Sequence, residues 1–136
     1  MGFDFDELSG KVIAAAIQVH RKLGPGFLES VYEHALRREL TERQIPFEKQ
    51  KEIKIVYDGV LVGTHVLDLL VAGVLVLELK AVERFEDIHY AQVKSYLRAS
   101  GATLGLLMNF NGTKLSVKRV VLGFTDKSPS QEKTGP

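Results

Sequence analysis

Between Leu67 and Lys80 two aliphatic runs flank the pair Ala72-Gly73, and Asp68, Glu78 and Lys80 sit inside those runs. Runs this apolar predict strands buried on both faces. An ionised carboxylate in such a place is costly unless it is paired or bound to a metal. Alternation along a strand puts Glu78 and Lys80 on one face. A hairpin about Ala72-Gly73 brings Asp68 close to Glu78 across it. Two carboxylates and an amine converging at the end of a sheet are a common way to hold a hard divalent cation with a water beside it. The chemistry that fits is phosphodiester hydrolysis, which needs an activated water, neutralised phosphate charge and a stabilised leaving oxygen. Asp68 and Glu78 are the candidate ligands of Mg²⁺ or Mn²⁺, with the Leu79 carbonyl a further one. Lys80 is the candidate to orient the water and offset phosphate charge. The competing reading is a buried ion cluster that only fixes strand register. Its weakness is the cost of burying three charges for no function.

The elements that must position these residues are legible from periodicity. Leu8, Val12, Ala15, Ala16, Val19 and Leu23 recur at helical spacing over 7–23, and Gly24-Pro25-Gly26 ends that helix. A second helix is expected over 28–44, stopped by Ile45-Pro46. Residues 51–57 alternate as a half-exposed strand, and Asp58-Gly59 is a hairpin turn. Residues 60–71 form the next strand, bent near Gly63, and 74–80 the third. A third helix spans 87–100 with Asp87 as its cap. Strands follow over 103–109 and 115–122, separated by Asn111-Gly112. The helix between the third and fourth strands implies that they pair in parallel. The fold class is therefore α/β (α+β), a mixed central sheet flanked by helices.

The chain has 136 residues, of which 45% are hydrophobic and 26% charged. One domain over 1–125 is expected, followed by a polar, disordered tail over 126–136. Without cysteine, disulfides and thiolate metal sites are excluded. A net charge of +1 argues against a broadly basic coat, although a basic rim around an acidic centre is compatible with it. The acidic N-terminus lacks the apolar segment of a signal peptide, and Asp68 and Glu78 interrupt the longest apolar stretch. No membrane segment is expected, and the location expected is cytoplasmic.

Asp68 with Glu78-Leu79-Lys80, between flanking helices, resembles the PD-(D/E)XK nuclease superfamily. Gly26-Phe27-Leu28-Glu29-Ser30-Val31-Tyr32 narrows the resemblance to the GxxExxY family. It extends from the first helix to about Phe124 and takes in Ala91-Gln92 with Tyr96, and Asn109-Phe110. Leu67 stands where the superfamily's name has proline. The resemblance implies a restriction-endonuclease-like core and a metal-dependent phosphodiesterase site, in which Glu29 joins the metal shell directly or through water. Gln92 and Tyr96 share a helix face. Gln92 is placed to bind the water or a phosphate, and Tyr96 to brace it. Tyr32 reads as a packing residue that supports the site. Lys94 and Arg98 are candidate backbone-phosphate contacts. His20, His34, His65 and His89 lack metal-ligand spacing, and only His89, near Gln92, invites attention. The expected partner is nucleic acid, DNA more than RNA, with a homodimer or partner protein supplying extra grip. The alternative from another class is a catalytically silent nucleic-acid-binding or protein-interaction module on the same fold.

Overall fold

The computed structural model describes residues 4–123. The expected tail over 126–136 lies outside them. Helix α1 (Phe5–Leu23) opens the chain, capped by Asp4, whose carboxylate accepts the Glu7 N–H at 3.0 Å. Helix α2 (Glu29–Glu42) follows. Then come β1 (Phe47–Tyr57), β2 (Val60–Val71), β3 (Leu75–Lys80), α3 (Asp87–Ser100), β4 (Leu104–Asn109) and β5 (Ser116–Val121).

The strands form one sheet in the order β1-β2-β3-β4-β5. Among the described strands only β3 and β4 pair in parallel, joined by the α3 crossover, with Lys80 beside Asn109. Each face of the sheet carries its own apolar layer. Val12, Ala15, Val19, Leu36 and Leu40 of α1 and α2 pack on Leu69, Leu77, Leu79 and Leu106. On the other face Val93 and Leu97 of α3 pack on Leu67, Leu70, Val76 and Leu107. That double coverage explains why β3 and β4 are almost continuously aliphatic. Gly105 permits the close approach of α3, because a Cβ there would stand 2.8 Å from Val93 Cγ1.

Three details depart from the sequence-based expectation. Strand β1 begins at Phe47 rather than at 51, because Phe47 pairs with Val71 and Lys49 with Leu69. The polar run Glu48-Lys49-Gln50 hides this from an alternation pattern. The cap of α3 is Glu86, not Asp87: the Glu86 N–H donates to His89 Nδ1 at 2.9 Å. Helix α2 stops at Glu42, and Gln44 turns the chain at φ +60° before Ile45-Pro46. The bend near Gly63 is present as a register shift, since Ile55 pairs with Gly63 and Val56 with Leu61.

Candidate active site

Strands β2 and β3 pair only through Leu69–Val71 and Leu75–Leu77. Past Leu69 they fork. The side chain of Asp68 fills the fork and accepts the Leu79 N–H at 2.9 Å, in place of a ladder bond. In a strand the N–H and C=O of one residue point to the same edge, so the Leu79 carbonyl also faces the fork. Opposite Asp68, Gln50 takes the left-handed conformation, φ +48°. Such a backbone is uncommon outside glycine and is often retained beside a functional centre. Gln50 Nε2 donates to Glu33 Oε2 at 2.7 Å.

Glu78 is buried. Its Oε2 lies 3.7 Å from Lys80 Nζ, whereas its Oε1 is buried with no hydrogen-bond partner. Burial pushes the Glu78 carboxyl up to about 8, helped by the negative charges of Asp68 and Glu29 and opposed by Lys80. Burial also raises Asp68 to about 6; Glu33 and Glu29 add to the rise, while the Leu79 N–H and Lys80 oppose it. One lysine thus stands against a field of four acids.

Glu29 reaches the rim of this cluster from the start of α2, where its Oε2 accepts the Ala81 N–H at 3.2 Å. The loop before it is set by Gly26, at φ +115°, and by Tyr32. The Tyr32 hydroxyl donates to the Gly24 carbonyl at 2.6 Å and accepts the Phe27 N–H at 3.2 Å, and its ring stacks on Phe110 at 4.7 Å. Tyr32 is fully buried, so it supports Glu29 from the core. Asn109 holds the segment after Lys80 from the other side: its Nδ2 donates to the Val82 carbonyl at 2.8 Å and its Oδ1 accepts the Val82 N–H at 3.1 Å.

Helix α3 closes the opposite flank. Burial first, then Glu78 and Asp68, push the Tyr96 phenol up to about 12. The Tyr96 ring stacks on His65 at 3.9 Å between centroids, 16° from parallel. His65 Nε2 is buried without a partner, and burial together with Lys80 lowers the imidazole. Gln92, one turn before Tyr96, has its Oε1 buried and unpartnered. Arg98 turns up at the far end of α3, beside Gly101, Ala102 and Thr103 at the entry to β4.

Asp68, Glu78, Lys80, Glu29 and Tyr96 therefore share one electrostatic centre. Glu33 is absent from the sequence-based candidates, His65 is set aside there for want of metal-ligand spacing, and Asn109 enters only through the resemblance. Glu33 had a usable signal, as it stands one helical turn after Glu29. The contacts of His65 and Asn109 had none, because they depend on sheet twist and parallel register. His89, the histidine singled out from sequence, serves the α3 cap instead.

Among the described residues no three His, Asp or Glu side chains come together tightly enough to hold a metal by themselves. The donor set nevertheless fits a hard cation that keeps several waters. It offers two carboxylates, one with an unpartnered oxygen, and a backbone edge.

A five-stranded mixed sheet with helices on both faces, forked around an acid pair and a lysine, defines a nuclease-type α/β scaffold. A family model of the PD-(D/E)XK nuclease superfamily matches residues 6–120, and the chain belongs to that superfamily. Two solved structures share the fold. The crystal structure of SSO0001 is 17% identical with a TM-score of 0.55, over 68% of this chain and 48% of that one. The chain therefore spans about half the length of SSO0001. An alkaline exonuclease (LHK-Exo) from Laribacter hongkongensis is 12% identical with a TM-score of 0.52, over 89% of this chain and 72% of that one. No curated protein matches the chain significantly.

Proposed function

We propose that the chain is a divalent-metal-dependent nuclease domain of the GxxExxY family, hydrolysing nucleic-acid phosphodiester bonds at the β2–β3 fork. The observation that carries this reading is the acid pair itself. Asp68 and Glu78 are both held well above the usual carboxylate range, and Glu78 Oε1 is buried with nothing to satisfy it. Such a pair is expensive unless a cation compensates it.

Asp68 and Glu78 would hold Mg²⁺ or Mn²⁺, with the Leu79 carbonyl and Glu29 completing the set directly or through water. When bound, such an ion would supply charge neutralisation on the phosphate and acidify a bound water. Lys80 sits against Glu78, where its ammonium group offsets charge on the scissile phosphate and orients the water. Gln92 Oε1 is a ready acceptor for that water's hydrogen. Tyr96 and His65 wall the flank and limit bulk solvent, which strengthens each of these interactions. Tyr32 and Asn109 fix the backbone on either side of the centre. Attack by the water oxygen would form one P–O bond as the bond to the departing oxygen breaks; the water's proton passes to solvent, and the departing oxygen takes one from solvent. Lys94 and Arg98 are outer contacts to the phosphate backbone.

DNA is the proposed substrate class, ahead of RNA. The single functional unit spans 1–125, acts in the cytoplasm, and grips a long strand as a homodimer or beside a partner protein. No helix among the described residues is long and apolar enough to cross a membrane.

The test is single-turnover cleavage of labelled single- and double-stranded DNA and RNA in Mg²⁺, Mn²⁺ and EDTA, beside a binding titration in Ca²⁺. Metal-dependent cutting that vanishes in EDTA and in Asp68→Asn supports the reading. Tight binding with no metal-dependent cutting of any substrate moves the assignment to the silent binding module.

A further inference from the structure

Beside the acid fork lies a cavity of about 460 Å³ between α2 and the start of β1. His34, Arg37, Arg38, Thr41, Phe47 and Lys49 line it. The four α2 residues recur at helical spacing on one face of the helix. Phe47 and Lys49 alternate along β1 and meet that face from the sheet.

Three observations separate this groove from an ordinary solvated helix face. Two of its three cations, Arg38 and Lys49, are poorly compensated. Arg38 meets Glu42 at 3.0 Å, but their side chains are 76% and 56% exposed, and such surface pairs contribute little. Lys49 has no acidic partner among the described residues. Second, Arg37 is fixed in place. Its Nη2 donates to Glu33 Oε2 at 2.7 Å, and its Nε is buried with no partner. Third, the groove adjoins the fork. Lys49 pairs with Leu69, the neighbour of Asp68, and the Glu33 that pins Arg37 adds to the negative field on Asp68. From Glu29 to Arg37 the helix rises about 12 Å, three to four nucleotides at roughly 3.4 Å each along a duplex.

Resting on the nuclease reading above, we propose that this groove binds the phosphate backbone of the substrate strand a few nucleotides from the phosphate at the fork, through Arg37, Arg38 and Lys49. Guanidinium forks suit phosphate oxygens bidentately, and the lysine adds a point charge. The contacts are to backbone, so they position the strand without reading its sequence.

Arg37 is tied to Glu33, so the test uses the two exposed cations. The Arg38→Ala/Lys49→Ala protein is compared with wild type by fluorescence anisotropy, in Ca²⁺ over a salt series, on labelled single-stranded and duplex oligonucleotides. A Lys11→Ala/Lys118→Ala protein removes the same charge elsewhere. The groove pair should bind roughly tenfold or more weakly on every sequence at low salt. Its salt slope should fall by about 1.4 for single strands or about 1.8 for duplexes, two contacts' worth. The control pair should stay close to wild type, and Arg38→Lys/Lys49→Arg should recover most of the affinity.

The proposal is overturned if the groove pair binds like wild type, if the control pair weakens binding as much, or if wild type binds no nucleic acid. Groove-dependent binding of polyglutamate with no such dependence for oligonucleotides also overturns it, assigning the groove to acidic peptides. Cleavage in Mg²⁺, read on the same proteins, separates the two readings. Groove-dependent binding without cleavage keeps the groove and removes the nuclease. Cleavage indifferent to the groove charges does the reverse.

Discussion

Lys80, Asp68 and Glu78 are chemically unequal, and their variants should fail differently. Lys80→Ala removes the cation 3.7 Å from Glu78 Oε2 but no candidate metal ligand. Cleavage should fall by about 10²–10³-fold, while folding and Mn²⁺ binding, followed by calorimetry, change little. Asp68→Asn should instead weaken Mn²⁺ binding. Equal loss of folding in both variants would mark the trio as a structural ion cluster. The raised acids also fix the pH dependence of the metal-free protein. Glu78 titrates near 8 in the folded state against 4.5 ordinarily. Between those values the folded chain keeps a proton that the unfolded chain has released. Stability must therefore fall as pH rises across that window and level off above it. The drop should be on the order of 1–3 kcal/mol, measured by urea denaturation in EDTA from pH 5 to 8.5. Glu78→Gln should flatten the curve; an undiminished slope in that variant would locate the titrating group elsewhere.

Two elements carry the centre on their packing. Helix α3 lies against β4 only because position 105 has no side chain. Gly105→Ala drives a methyl into Val93 and should cost about 1–3 kcal/mol. It should also displace Gln92 and Tyr96, so cleavage drops further than stability predicts. Val93→Ala in the same chain restores room, and recovery of both properties would confirm the contact as the cause. Helix α2 depends on Tyr32, whose hydroxyl ties Gly24 to Phe27 ahead of Glu29. Tyr32→Phe should cost about 1 kcal/mol and loosen Glu29. The loss should appear as slower turnover at saturating Mg²⁺ in a chain that still melts cooperatively.

At the scale of the whole molecule, a cation that binds only the folded state must raise the melting temperature by mass action. Mg²⁺ or Mn²⁺ should therefore stabilise wild type at pH 8 and much less at pH 5, where protons occupy Asp68 and Glu78. The shift should vanish in Asp68→Asn. A metal-induced rise that survives that substitution would place the ion away from the fork. Both faces of the sheet are covered, by α1 and α2 on one side and α3 on the other. The fork is where the strands part between these layers, so it is the natural entry for a strand of substrate.

The order of elements, the burial of β3 and the pairing of Asp68 with Glu78 and Lys80 were written in the sequence. They follow from local periodicity and from the price of charge in an apolar run. Glu29 and Tyr32 were marked by the resemblance, and helical spacing adds only that they share a face. What only the tertiary structure decided depends on register and twist. The Asp68 side chain replaces a ladder bond to Leu79 because β2 and β3 diverge after Leu69. Asn109 clamps Val82 because a parallel crossover sets β4 beside β3. His65 meets Tyr96 only once α3 is seated on the sheet, and Lys49 faces α2 only because β1 begins four residues earlier than its polar start suggests. Pairs brought together by non-local pairing leave no period in the sequence, and the groove beside the fork is built from them.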